Sequence, residues 1–260
     1  MSGFEAFLLG IVQGLTEFLP VSSSGHLVIF ESLLGLDDRA NLLFEVAVHV
    51  ATLVAIVIFY RRKLASLVSG SLRGDAAALR YGAKLALATL PAVGVALLAG
   101  EWVDRAFASP TLVALCLFAT GGILMTTRRS LPTATLLEPS WGAALLIGCA
   151  QALAILPGIS RSGSTVAAAL ALGVAPAAAA EFSFLLGIIA ISGAAVLMIP
   201  EFAQLTLEHW QTMAVGAVAA MLSGLAALWI FVWLLARRVF YAFSYYLWAA
   251  GALFLAWLHL

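Results

Sequence analysis

Six blocks of the chain are apolar over close to the ~20 residues that a membrane span requires: residues 41–60, 82–100, 110–127, 179–200, 213–236 and 241–259. The pattern predicts six membrane-spanning helices. Two further apolar stretches are interrupted. Residues 3–36 are broken by Pro20 and the run Ser22-Ser23-Ser24-Gly25, and residues 141–174 by Pro157-Gly158 and the run from Ser160 to Thr165. Each reads as a short helix, a polar turn and a second short helix. That is the pattern of a re-entrant pair, tolerated at membrane depth only where protein or a wet cavity surrounds it.

Charge sets the orientation. Arg61, Arg62, Lys63, Arg73, Arg80 and Lys84 lie between the first and second spans, Arg128 and Arg129 after the third, and Arg237 and Arg238 between the fifth and sixth. If all six blocks cross, these cations share one face, which the positive-inside rule makes cytoplasmic. Glu101, Asp104, Glu201 and Glu208 then fall on the other face. Both termini point outward.

The two interrupted stretches are copies of one another. Gly10, Gln13, Leu15, Ser22, Ser24 and Gly25 match Gly148, Gln151, Leu153, Ser160, Ser162 and Gly163 at identical offsets. The first copy precedes a span running inward and the second a span running outward. The expected fold is thus an all-α polytopic membrane protein with six transmembrane helices plus two re-entrant helix pairs, built as an inverted-topology repeat. It forms a single membrane domain over 1–260, with repeat 1 at about 1–127 and repeat 2 at about 141–260. Such repeats place a binding site near the bilayer midplane, at their junction.

Composition narrows the function. The chain is 63% apolar and 10% charged, against about 45–50% and 25% in soluble domains, and thirteen cations balance thirteen anions. Soluble folds, disordered chains and nucleic-acid partners are thereby excluded. No positively charged leader segment precedes the first apolar stretch, so multi-pass insertion without signal cleavage is expected. Cys116 and Cys149 lie in apolar stretches and read as small buried packing residues.

The breaks carry the candidate chemistry. The second helix of each pair begins at a Ser-rich, Gly-containing turn, Ser22 to Gly25 and Ser160 to Thr165, and a helix N-terminus is an anion site. Arg161, charged at membrane depth, needs a partner. Its planar fork suits two phosphate oxygens, and an ion pair with Glu17 or Glu45 is the structural alternative. Gln13 and Glu17 share one helix face, and His26 follows the first Ser run. Glu17 could bind a divalent ion or act as base, and His26 could relay a proton or attack phosphorus. Glu45 and His49, with Glu181 in a related place, read as supporting or interface residues. No nucleotide phosphate loop, H-E-x-x-H or Cys/His zinc spacing is present.

The run from Gln13 to His26 resembles the first signature of the undecaprenyl-diphosphate phosphatases associated with bacitracin resistance. The run from Pro157 to Thr165 resembles the second, and the segments around Glu45–His49 and Glu181–Leu186 are also similar to that family. The resemblance spans nearly the whole chain. It implies hydrolysis of undecaprenyl diphosphate to undecaprenyl phosphate and inorganic phosphate in the bacterial inner membrane, toward the periplasmic side, recycling the peptidoglycan carrier lipid. It also implies a divalent cation, Mg²⁺ or Ca²⁺, held by Glu17 with Gln13, where Gln13 leaves one carboxylate rather than two.

Ser23, Ser24 and His26 match the family's catalytic stretch, and Arg161 its diphosphate-holding arginine. Ser22, Gly25, Ser160, Ser162, Gly163 and Thr165 complete the expected substrate-binding set, with Ser23 as an alternative nucleophile. Gly187-Ile188-Ile189 stands where many relatives carry an Ala-Ile-Pro-like turn. Expected partners are a long-chain isoprenoid diphosphate and the bilayer, with a homodimer left open. The lipid phosphatases of the phosphatidic-acid type are excluded, because their His six residues after the Arg is here Ala167. A transporter or flippase of isoprenoid lipid phosphate is the alternative in another class.

Overall fold

The structure, a computed structural model, describes residues 1–35, 39–197 and 207–260, without the side chains of 39–42, 104, 207 and 208. Glu201 and the end of the block 179–200 lie outside the described residues. Among the described residues, twelve α-helices follow in order. They are α1 (Gly3–Phe18), α2 (Ser23–Leu34), α3 (Arg39–Phe59), α4 (Arg61–Leu72), α5 (Ala76–Leu98) and α6 (Gly100–Phe107), then α7 (Pro110–Ser130), α8 (Trp141–Leu153), α9 (Arg161–Ala171), α10 (Pro176–Leu197), α11 (Leu207–Ala236) and α12 (Phe243–Leu258).

Among the described residues, five helices are long and apolar enough to cross a membrane (Ala76–Leu98, Pro110–Ser130, Pro176–Leu197, His209–Ala236 and Phe240–Leu258), and a sixth is counted if α3 and α4 are taken together across their 76° bend. The bend has a plain cause. The apolar run of α3 ends at Phe59–Tyr60, and Arg61, Arg62 and Lys63 then open α4 with groups that stay in water. Large apolar residues such as Leu90, Leu98, Leu222, Trp229 and Leu253 are exposed, as suits a surface solvated by lipid rather than water. Cys116 is buried as expected, but Cys149 is exposed on α8: in lipid an apolar stretch need not turn inward, so apolar context did not determine its burial.

Both interrupted stretches form two short helices around a non-helical break, α1–α2 and α8–α9. Small residues let their first helices approach the long ones. Gly10 and Gly14 of α1 lie against the backbone of α11 at Gly216 and Ala220, and Gly148 of α8 lies against Ala88 of α5. Close backbone approach at small-xxx-small positions is how helices gain packing where lipid supplies no hydrophobic drive. Aromatic rings fill the middle, with Phe18, Phe231 and Phe184 in edge-to-face contact: the Phe18–Phe184 centroids are 5.7 Å apart and the Phe184–Phe231 centroids 4.9 Å.

Charged ends gather at one end of the bundle. Lys63 at the start of α4 pairs with Glu181 of α10 at 2.7 Å and lies 4.6 Å over the ring of Tyr81 of α5, whose hydroxyl donates to Glu181 at 3.3 Å. Lys84 pairs with Glu138 at 3.1 Å, and Arg128 at the end of α7 lies 5.6 Å over Tyr241.

Candidate active site

The two breaks are capped alike. Ser22 Oγ accepts from Gly25 N at 3.3 Å and Ser160 Oγ from Gly163 N at 3.1 Å. Each capping hydroxyl also meets the one two residues on, Ser24 at 3.4 Å and Ser162 at 3.3 Å. Ser and Gly therefore recur here for one reason, satisfying the first N–H groups of α2 and α9. Ser22 holds a left-handed φ of 69°, an unfavourable geometry for a residue with a side chain, which turns the chain sharply into α2.

The breaks also touch each other. A Cβ at Gly25 would lie 3.0 Å from Gly158 Cα, so only Gly allows this contact. Gly158 itself has φ 92°, and a Cβ there would meet Cys116 Cβ at 2.6 Å. Thr120 of α7 ties the second break down, donating to Gly158 O at 2.8 Å and accepting from Ser160 N at 3.1 Å.

At this junction sits Glu17, the last but one residue of α1 and only 7% exposed. Its Oε1 accepts from Arg161 Nη2 at 2.5 Å. Its Oε2 accepts from Ser23 Oγ at 2.7 Å and from Gln13 Nε2 at 3.1 Å, with His49 Nε2 3.6 Å away. The first of the two structural alternatives for Arg161 is thus present. Burying both charges costs several kcal/mol per ion in general, which the attraction repays only when the remaining lone pairs are satisfied; Ser23 and Gln13 do this. Arg161 lies against Gly187 of α10, where any Cβ would fall on the guanidinium, and its Nη1 points to Ser183 O at 3.5 Å. The Gly at position 187 has a structural reading: it leaves room for this side chain.

A cavity of about 350 Å³ opens beside the pair, lined by Glu17, Ser22, Ser23, Ser24, Ser160 and Arg161 among the residues expected in the site. The polar residues Thr16, Glu45, His49 and Gln151 line it too. The rest of the wall is mainly aliphatic, including Val46, Val50, Ala154, Ile155 and Ile191. Gln13, Gly25, Ser162, Gly163 and Thr165 stand behind the lining. Gly25 and Gly163 supply capped N–H groups, Ser162 donates to Leu19 O at 3.4 Å, and Thr165 donates to Arg161 O at 2.7 Å and meets Ser183 Oγ at 2.6 Å.

His26 is the residue whose expected place differs. It is buried, and it does not line the cavity. Its Nδ1 lies 2.8 Å from the carbonyl of Ser22, which can only accept, so Nδ1 carries the proton. In the neutral ring Nε2 then accepts from the Tyr246 hydroxyl at 2.7 Å, with the two rings stacked at 10°. Both nitrogens are committed, one to the break and one to α12. The imidazole that faces the cavity is His49, oriented by Nδ1 donating to Glu45 O at 2.7 Å. The i,i+4 spacing of Glu45 and His49 marked the pair in the sequence, but its position depends on how α3 packs.

His26 is thus joined to the cavity lining through the Ser22 carbonyl at the start of α2. Tyr246→Phe removes this part-buried hydrogen bond, worth about 1 kcal/mol of stability. The expected result is a melting midpoint about 2–4 °C lower with KM unchanged, measured on the purified variant.

Comparison with known proteins gives the family. Residues 6–253 match the family model described as bacitracin resistance protein BacA. The chain is 38% identical over 271 residues to the undecaprenyl-diphosphatase of Alcanivorax borkumensis, covering 99% of this chain and 100% of that protein. It is 39% identical over 261 residues to that of Syntrophotalea carbinolica, covering 98% and 99%, and 38% identical over 272 residues to that of Desulfatibacillum aliphaticivorans, covering 97% of each. With both signature runs meeting at one buried Glu–Arg pair, the chain belongs to the bacitracin resistance protein BacA family.

Proposed function

We propose that this chain is an undecaprenyl-diphosphate phosphatase of the bacterial inner membrane. It hydrolyses undecaprenyl diphosphate to undecaprenyl phosphate and inorganic phosphate, recycling the carrier lipid for peptidoglycan synthesis and conferring bacitracin resistance. The observation that carries this reading is the Arg161–Glu17 pair, held where the N-termini of α2 and α9 converge on one cavity.

The five long apolar helices and the bent α3–α4 pair cross the bilayer, and the pairs α1–α2 and α8–α9 enter without crossing, as inverted repeats over about 1–127 and 141–260. The Lys/Arg-rich end, with its Lys63–Glu181–Tyr81 contact, is cytoplasmic. The cavity, whose wall includes Phe107 at the end of α6, opens toward the periplasmic side. The aliphatic wall receives the first isoprene units and the polar floor the diphosphate.

On binding, the terminal phosphoryl oxygens replace Glu17 as the partner of Arg161, whose fork can donate to two of them. The positive dipole ends of α2 and α9 lie at the same charge. Glu17 Oε2 already accepts from Ser23 Oγ, so Glu17 is placed to take the Ser23 proton as Oγ attacks phosphorus. The new Oγ–P bond forms as the P–O bond to the lipid phosphate breaks, and undecaprenyl phosphate leaves. Glu17 passes that proton to solvent; water then attacks phosphorus as Glu17 takes its proton, the Oγ–P bond breaks, and the proton returns to Ser23 Oγ as inorganic phosphate leaves.

Among the described residues no set of three or more His, Cys, Asp or Glu side chains is grouped as a metal site. The buried Gln13 Oε1 nonetheless lacks a hydrogen-bond partner beside Glu17. A carbonyl and one carboxylate fit a hard cation that takes its other ligands from phosphate, as Mg²⁺ commonly does. Glu17 and Gln13 would hold it, and when bound it neutralises charge on the phosphoryl oxygens. Purified protein in detergent is expected to release inorganic phosphate from a long-chain isoprenoid diphosphate with added Mg²⁺ or Ca²⁺, and to fall at least tenfold in rate with excess chelator. Release unaffected by chelator contradicts the cation, and no release under any condition contradicts the function.

A further inference from the structure

Gln151 of α8 is 3% exposed and is among the residues that line the cavity, with both its amide atoms buried just behind the cavity surface. Neither its Nε2 nor its Oε1 has a hydrogen-bond partner among the described residues. Buried polar atoms are almost always paired, so a wholly unpaired amide at a cavity wall points to a ligand.

The repeat shows why it is unpaired. Gln13 stands 138 residues earlier, at the equivalent turn of α1, and its Nε2 donates to Glu17 four residues on. The residue four after Gln151 is Ile155, also in the cavity wall. One repeat carries a carboxylate for its glutamine, and the other an aliphatic side chain. An anionic oxygen is what repeat 2 lacks, and the groups around Gln151 favour one. Arg161 brings a cation, and α9 presents its N-terminus through Ser160 to the same space.

We infer that Gln151 is a substrate-binding residue whose Nε2 donates to a non-bridging oxygen of the diphosphate head. That oxygen occupies in repeat 2 the role that Glu17 plays for Gln13 in repeat 1. Its Oε1 accepts from a water carried in with the head. Paired glutamines then flank the diphosphate, one fixing the carboxylate and one fixing the substrate. This assignment rests on the phosphatase reading and adds a residue to it.

Gln151→Leu keeps the volume and removes both orphan polar atoms. In the full-length protein without ligand, its melting midpoint is expected to equal or exceed that of wild type, since nothing is unpaired by the change. Its kcat/KM on a long-chain isoprenoid diphosphate is expected to fall about ten- to a hundredfold, mostly through KM, as for a lost hydrogen bond to a charged group. Inorganic pyrophosphate serves as a second probe. Its thermal stabilisation of wild type should be lost or shifted to at least tenfold higher concentration in the variant.

A Gln151→Leu protein with wild-type kcat/KM and pyrophosphate response overturns the assignment. A clearly lowered melting midpoint overturns it too, by showing that the amide serves the fold. If wild type stabilises with pyrophosphate but releases no phosphate, the phosphatase reading fails alone, and the pyrophosphate comparison still decides for or against Gln151.

Discussion

Arg161→Ala is expected to lower kcat/KM by about 10³-fold or more, the loss seen when a charge-stabilising group aimed at a phosphoryl or oxyanion centre is removed. The guanidinium is the only cationic side chain in the cavity wall among the described residues. No lysine or arginine stands ready to replace it. Loss of one partner of a buried pair generally costs about 3–5 kcal/mol of stability, but Glu17 would keep the Ser23 hydroxyl and the Gln13 amide. A folded protein with a melting midpoint lowered by several degrees is therefore expected. Arg161→Lys keeps the charge and loses the fork, and should retain little of the activity because one point charge cannot engage two oxygens at once. Steady-state kinetics with thermal melts on the purified variants checks both statements.

Glu17→Gln is the second large effect. Three donors converge on the two carboxylate oxygens, from Arg161, Ser23 and Gln13. A glutamine offers one oxygen and an NH₂ group, so at least one of these donors faces another donor. The substitution also removes the proton acceptor for Ser23. Loss of a positioned general base typically costs about 10²–10⁴-fold, and this is expected in kcat, with KM changing little because Arg161 still holds the head. Because Glu17 and Arg161 act as one unit, the double variant should be no worse than the poorer single one. Additive losses in that cycle contradict a shared role.

Much of this was legible in the sequence because the membrane simplifies the problem. An apolar block near twenty residues leaves few alternatives, and Pro20, Pro157 and the Ser-Gly runs interrupt such blocks unmistakably. Span ends were less legible. The second block starts by hydropathy at residue 82, yet α5 begins at Ala76, because Asp75 caps it through Ala77 N at 3.0 Å and its first turns extend beyond the apolar run. The short helices α4 and α6 were not expected, since polar helices leave no span signal.

In the site, the Glu17–Arg161 pair was foreseeable, as two charges at membrane depth need each other. The direction of His26 was not. It depends on the left-handed turn at Ser22, which rotates α2 by an amount no periodicity reports. His49 and Gln151 reach the cavity only through the packing of α3 and α8, and the mark of Gln151, an amide without its carboxylate four residues on, became meaningful once the cavity was seen.

The most direct test is product analysis on one lipid, undecaprenyl diphosphate, incubated with purified wild type and with folded Arg161→Ala. The account predicts one inorganic phosphate and one undecaprenyl phosphate per diphosphate consumed by wild type, and about 10³-fold less of both from the variant. Release of inorganic pyrophosphate with the free alcohol, or an Arg161→Ala protein as active as wild type, would contradict it.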